Sequence, residues 1–190
     1  MSIILASGSA RRRELFEMLK VRDFKIIPAE GQEIPAPGQT PEKQAALIAA
    51  AKAREVAALC AEEDVIVAAD TIVVTDGEVF GKPYDRKQAA FMLSELSGKT
   101  HTVYTGVTVI KGASETTEVE ATNVRFRKLD DREIRDYVES GEPDDKAGAY
   151  GIQGRGALFV ESISGDFFNV MGLPLCRLGL MLKKLGVDLI

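Results

Sequence analysis

The sequence predicts an α/β protein with α+β character, a mixed β-sheet carrying helices on its faces. Three observations lead there. Residues 65–74 are apolar at eight of ten positions and rich in Val and Ile, the pattern of a strand buried on both faces. In the first half of the chain, short apolar runs alternate with Ala- and Leu-rich helical stretches, as in strand–helix units. Between residues 100 and 127, two alternating runs with branched residues flank a Lys111-Gly112 turn, which reads as a long antiparallel hairpin. At 190 residues with no low-complexity linker, one domain spanning 1–190 is expected, with room for two lobes sharing one sheet.

Composition excludes several classes. With 45% hydrophobic and 28% charged residues the chain is neither fibrous nor disordered. A net charge of −5 gives no bulk affinity for polyanions, so no nucleic-acid partner is expected and any bound anion needs a local basic site. Two cysteines are too few for a disulfide framework and point to a reducing compartment. The apolar N-terminus is short and has no basic residues ahead of it, unlike a signal peptide, and no run approaches membrane-spanning length. A cytoplasmic protein without a membrane partner is the simplest expectation.

Residues 3–6 read as a buried strand entering Ser7-Gly8-Ser9, followed by a helix over 10–20 with Leu15, Phe16 and Leu19 inward and Ser9 as N-cap. Arg11-Arg12-Arg13 in its first turn oppose the macrodipole, at a cost of a few tenths to ~1 kcal/mol each. The placement makes sense if backbone N–H groups, serine hydroxyls and guanidinium forks converge on a phosphate; the alternative is a solvated basic turn. A strand at 24–27 and a Pro/Gly-rich loop at 28–40, containing Glu30 and Glu33, come next. Thr40 caps a helix with Pro41 at its first position, predicted to run to about Glu62 with Ala45, Ile48, Val56 and Leu59 inward. Lys52 falls on that stripe, either as a site group or as a lysine snorkelling to water.

At the centre of the 65–74 strand stand Asp70 and Thr71. An ionised carboxylate there is costly unless it is paired, hydrogen-bonded or bound to a metal. It marks either function or an aspartate at a strand end tied to a loop. Asp76-Gly77 signals a two-residue hairpin turn, with paired residue numbers summing to 153. Thr71 then faces Lys82 and Asp70 faces Pro83. Strict pleating puts Lys82 on the opposite sheet face from Asp70, unless a bulge or strand end at Gly81 intervenes.

A capping box at Asp85–Gln88 opens a helix to about Leu96, with Gly98 behind it. The hairpin strands follow at 100–110 and 118–127; His101, the only histidine, is assigned a structural role. A second capping box at Asp130–Glu133 opens a helix ending at Ser140-Gly141. Residues 142–156 read as a Gly- and charge-rich loop, 157–163 as a strand and 174–185 as a last helix. The polar loops at 7–13, 28–40, 81–85 and 142–156 are expected to converge on one cleft. One histidine excludes a Ser–His–Asp or Cys–His set, and the glycine spacings match no Walker or dinucleotide loop. Carboxylates, cations and a phosphate cradle suit phosphoryl chemistry assisted by Mg²⁺ or Mn²⁺.

Several blocks then occur in order: Ala6-Ser-Gly-Ser9-Ala-Arg-Arg12, Lys52-Ala53, Ala69-Asp70-Thr71, Gly81-Lys82-Pro83, Leu96-Ser97-Gly98 and Thr105-Gly106. Lys146-Ala-Gly-Ala-Tyr-Gly-Ile-Gln153-Gly and Asn169-Val-Met-Gly-Leu-Pro174 complete the set. Together they resemble the Maf family of nucleoside triphosphate pyrophosphatases, within the ITPase-like fold group. One departure is Ala10, where the family usually has Pro; alanine is well tolerated at a first helical position.

The resemblance implies an elongated fold with a central cleft and hydrolysis between the α- and β-phosphates of a nucleotide. It makes Asp70 the general base and a metal contact, with Glu33 helping to place the metal. Ser7, Ser9, Arg11, Arg12, Lys52 and Lys82 would hold the triphosphate. The Tyr150–Gln153 block resembles the subgroup acting on dTTP and UTP, in which Arg11, Thr71 and Gln153 are associated with base choice. A glutamine amide offers one donor and one acceptor, matching the O4/N3 edge of thymine or uracil. The alternatives are the sister subgroup acting on 7-methyl-GTP and a nucleotide-sensing regulator of cell division without turnover. A homodimer is compatible with the family, with no surface identifiable from sequence.

Overall fold

A computed structural model describes residues 1–21, 24–31 and 38–189. The strands are β1 (Ile3–Leu5), β2 (Lys25–Ile26), β3 (Val65–Thr75), β4 (Glu78–Phe80), β5 (Thr100–Lys111), β6 (Ser114–Phe126) and β7 (Val160–Ser164). The α-helices are α1 (Ala10–Met18), α2 (Pro41–Ala57), α3 (Arg86–Leu96), α4 (Asp131–Glu139), α5 (Phe167–Met171) and α6 (Leu175–Lys184). The seven strands form one sheet in the order β2-β1-β3-β5-β6-β7, with β4 paired to β3 off that path. β1 runs parallel to β2 and β3, whereas β3–β4 and β6–β7 are antiparallel. The mixed sheet is the one expected. The chain forms two compact units: Met1–Asp70 with Thr105–Glu120 and Gly172–Ile190, and Thr71–Tyr104 with Ala121–Met171.

In the first unit, Thr40 accepts the Lys43 N–H and Pro41 opens α2, as the cap signal predicts. The helix stops at Ala57, short of Glu62, and closes through bonds from Leu59 and Cys60 to Val56 and Ala57. Its buried face is Ala45, Ala49, Ala50, Ala53 and Val56, while Leu59, beyond the helix end, is 73% exposed. Of the expected stripe, Ala45 and Val56 are buried and Ile48 is half-buried; Leu59 is corrected to the exterior, and alanines complete the face. Alanines let the helix lie close on the sheet, where Ala53 and Val56 pack with Ile4, Ala6, Ile66, Ala68 and Ile110. The same closeness is built into β5: a Cβ on Gly106 would run into the Ala45 backbone. A glycine inside a strand marks such an approach.

In the second unit, Asp76 (φ 49°) and Gly77 (φ 83°) form the turn between β3 and β4. The pairs Val73–Phe80, Val74–Val79 and Thr75–Glu78 keep the expected sum of 153. Two positive φ values define the primed turn that matches strand twist. Asp85 caps α3 through the Gln88 N–H, and the Asp130–Glu133 capping box is present at α4. The core gathers Phe126, Tyr137, Tyr150 and Phe159 with His101 beside them. His101 is 1% exposed, with Nε2 2.7 Å from the Tyr150 hydroxyl, which fits its structural assignment. Two details depart from expectation. A 3₁₀ turn over Gly154–Phe159 delays β7 to Val160, and the short helix α5 has no counterpart in the sequence reading.

Candidate functional site

β1 delivers the chain into Ser7-Gly8-Ser9, and the Ala6 N–H still bonds to Val67 O on β3. Ser7 is 7% exposed and its Oγ is the hub of the turn. It accepts the Ser9 N–H at 3.2 Å and Arg12 Nη1 at 3.3 Å. Arg12 Nε donates to the Gly172 carbonyl at 2.8 Å, fixing that guanidinium from two sides. Ser9 stands at the N-cap position of α1 but makes no side-chain cap bond, correcting its predicted capping role. The first turn of α1 holds no acidic residue. Of the other arginines, Arg13 pairs outward with Glu17 at 3.0 Å, and Arg11 is half-buried. The basic turn is therefore divided: Arg12 belongs to the loop, Arg13 to the solvated face.

Asp70 is 5% exposed and lies inside β3, which continues five residues beyond it to Thr75. The strand-end reading is excluded. Its Oδ1 accepts from Lys52 Nζ at 2.7 Å, with the two side chains 8% and 15% exposed. Lys52 does not snorkel. One turn from Ala49 and Val56 on α2, it is carried by the small-residue face straight to the sheet carboxylate. Each charge compensates the other's desolvation, and removing Lys52 would leave the buried Asp70 carboxylate without this cation. The parallel register joins this pair to the serine loop, because Leu5 faces Val67 and Asp70 is three residues further along β3.

Among the described residues no group of three or more His, Cys, Asp or Glu is arranged to hold a metal ion. A Mg²⁺ that takes one or two carboxylates and completes its shell with substrate oxygens and water needs no such group. Asp70 fits that donor role. Glu33, the other metal contact named from sequence, lies outside the described residues.

The remaining predicted residues belong to the second unit. Thr71 is half-buried, while Lys82 and Gln153 are exposed. The β3–β4 ladder ends at Val73–Phe80, so Lys82 is not set by strand pairing. The cause is visible next to it: the Gly81 carbonyl accepts the Gly148 N–H at 3.0 Å and leaves the ladder direction. Gly148 has φ 68°, and a Cβ there would meet the Val73 side chain at 2.9–3.1 Å. The Gly81-Lys82-Pro83 and Lys146–Gln153 blocks are therefore one packed assembly within this unit. Burial pushes the Tyr150 hydroxyl well above the ordinary tyrosine range, so it stays protonated against His101.

Sequence reasoning quoted Gly106 and Gly172 within family blocks without giving either a role, and it missed Tyr137 and Glu142. A glycine within a run of branched strand residues could have flagged Gly106. Gly172 acts through a bond to Arg12, 160 positions away, and Tyr137 and Glu142 through bonds to the 151–156 segment, which no local pattern signals.

The fold defines a class: an α/β protein of the fold seen in Ham1 proteins. A HAM1 protein from Coxiella burnetii superposes with a TM-score of 0.52 at 15% identity, covering 97% of this chain and 99% of that one. The Maf-like protein model matches residues 2–185, and the chain belongs to the Maf family. It is 48% identical to a dTTP/UTP pyrophosphatase of Pelotomaculum thermopropionicum, over 99% of this chain and 98% of that protein. Proteins of the same description from Syntrophomonas wolfei and Carboxydothermus hydrogenoformans are 49% and 50% identical. These matches cover 98% of this chain in both cases and 98% and 100% of the respective relatives.

Proposed function

We propose that the protein hydrolyses dTTP and UTP to the monophosphate and pyrophosphate. Its near-full-length identity to proteins described as dTTP/UTP pyrophosphatases supports the substrate class. The structural observation that carries the reading is the buried Asp70–Lys52 pair, held by strand register next to the Ser7-Gly8-Ser9 loop. A basic loop at a helix start binds phosphate through N–H groups, hydroxyls and guanidinium forks.

In this mechanism Ser7, Ser9, Arg11, Arg12, Lys52 and Lys82 hold the triphosphate. Asp70 accepts a proton from water as the water oxygen bonds to the α-phosphorus. The bridging α–β bond breaks and pyrophosphate leaves with its electron pair. Lys52 donates to the Asp70 carboxylate, orienting the oxygen that takes the proton. Asp70 and Glu33 would hold Mg²⁺ or Mn²⁺ together with the substrate, and the ion would supply charge neutralisation at the phosphates. Thr71, Arg11 and Gln153 read the base, and the Gln153 amide matches a thymine or uracil edge.

The test is pyrophosphate release from dTTP, UTP, CTP and 7-methyl-GTP by the purified protein with Mg²⁺ or Mn²⁺. Turnover of dTTP and UTP above the other two is expected. Preference for 7-methyl-GTP would move the chain to the sister activity, and binding without release would make it a sensor.

A further inference from the structure

The segment bearing Gln153 is an arch tied at both feet to one pair of side chains. At one foot, the Gly151 N–H donates to the Tyr137 hydroxyl at 3.3 Å. At the other, the Arg155 and Gly156 N–H groups donate to Glu142 Oε2 and Oε1, each at 3.1 Å. Tyr137 donates its own hydroxyl to Glu142 Oε1 at 3.0 Å, closing the circuit. Between the feet, Gly154 adopts φ 72°, and a Cβ there would stand 3.0–3.2 Å from the Glu142 carboxylate. Gln153 sits at the crown with an exposed side chain and makes no cap bond of its own.

This is more anchoring than an ordinary surface loop receives. Tyr137 is 2% exposed and packs edge-on against Phe159 at 4.8 Å, so the hydroxyl is a fixed post. Glu142 is locked as well: Lys146 Nζ donates to its backbone carbonyl at 2.6 Å. A carboxylate accepting two backbone N–H groups and a hydroxyl supplies charge-assisted bonds in set directions. An exposed glutamine reads a base edge only if its backbone is held, because the amide must present donor and acceptor at fixed places.

The geometry points to Glu142, braced by Tyr137, as the positioning residue that sets Gln153 for nucleotide selection. The inference rests on the proposed reading of Gln153 as a base-contacting residue. Glu142 acts through the arch and touches no substrate.

The experiment compares kcat/KM for dTTP and dCTP in the wild type, Glu142→Gln, Gln153→Ala and the double variant. An amide keeps one acceptor in place of the carboxylate's two and cannot serve all three donors. Glu142→Gln is expected to lower the dTTP:dCTP ratio by about tenfold, mostly through KM, the size of one misplaced hydrogen bond. The double variant should show no more loss than Gln153→Ala alone, since both changes act through one side chain. Additive losses, or an unchanged ratio in Glu142→Gln beside a reduced ratio in Gln153→Ala, would overturn the positioning role and leave the Gln153 reading intact. An unchanged ratio in Gln153→Ala would overturn both. If Glu142→Gln does not fold, Tyr137→Phe removes only the bracing hydroxyl, and the same ratio and cycle apply to it.

Discussion

Lys52 Nζ stands 2.7 Å from Asp70 Oδ1, joining the middle of a long helix to the middle of a buried strand. The pair separates a catalytic role from a structural one. Asp70→Asn keeps the size of the side chain and an oxygen acceptor for the lysine, so the fold should survive. On the proposed role of Asp70 as general base, the variant should turn over dTTP about 10²–10⁴-fold more slowly while nucleotide affinity changes little. Hydrolysis by Asp70→Asn at the native rate would end the general-base assignment.

Lys52→Met tests the other partner. It leaves the Asp70 carboxylate buried without its cation, a change worth about 3–5 kcal/mol in comparable pairs. Urea unfolding should report a large drop in stability together with weaker triphosphate binding. A variant as stable as the wild type would mean that Asp70 is compensated elsewhere.

Metal removal is a separate prediction. On the proposed reading, with Asp70, Glu33 and phosphate oxygens as its donors, the ion would be held weakly in the absence of nucleotide. EDTA should cut pyrophosphate release by about 10²-fold or more, and excess Mg²⁺ or Mn²⁺ should restore it. Full activity in EDTA would remove the metal from the mechanism.

Gly106 carries a packing prediction. A methyl at this position meets the Ala45 backbone, which cannot rotate aside as a side chain would. Gly106→Ala should cost about 1–3 kcal/mol by overpacking, measured as a lowered urea midpoint. Because α2 also carries Lys52, kcat should fall in the same variant. Native stability and native kcat would show that the helix can move without consequence.

How much of this was legible in the sequence differs from element to element. The Asp76-Gly77 turn, the Thr40 cap and the Asp130–Glu133 box were readable because their physics is local: a positive φ or a side chain bonding three residues on. The inner face of α2 was read in part, with Ala45 and Val56 correct, and its alanines were passed over because periodicity weights large apolar residues. Here Gly106 and the alanines bring backbone to backbone, and Leu59 lies past the helix end. Lys52 was legible as a residue on the buried face, but its partner was not, since helix spacing holds no information about the neighbouring strand. The hairpin register located the Lys82 segment up to Phe80. Beyond that point the Gly81–Gly148 bond took over, and no sequence rule predicts a bond across 67 positions.

His101 gives a prediction in pH. Burial holds its imidazole down at about 4, against an ordinary 6.5. Between these values the unfolded chain binds a proton that the folded chain refuses, so acidification favours unfolding by about 1.4 kcal/mol per pH unit. The contribution is absent above pH 6.5 and grows to about 3 kcal/mol of lost stability near pH 4. As the only histidine in the chain, His101 dominates this window down to about pH 5, where the carboxylates begin to titrate. His101→Gln keeps an acceptor for the Tyr150 hydroxyl and has no charge to gain. Urea unfolding from pH 7 to pH 5 should show a falling midpoint in the wild type and a nearly flat one in His101→Gln. The variant should also be less stable at pH 8, where it has lost the edge-on packing against Phe126 and Tyr150. Equal slopes in the two proteins would mean that the buried imidazole accepts its proton without unfolding the core.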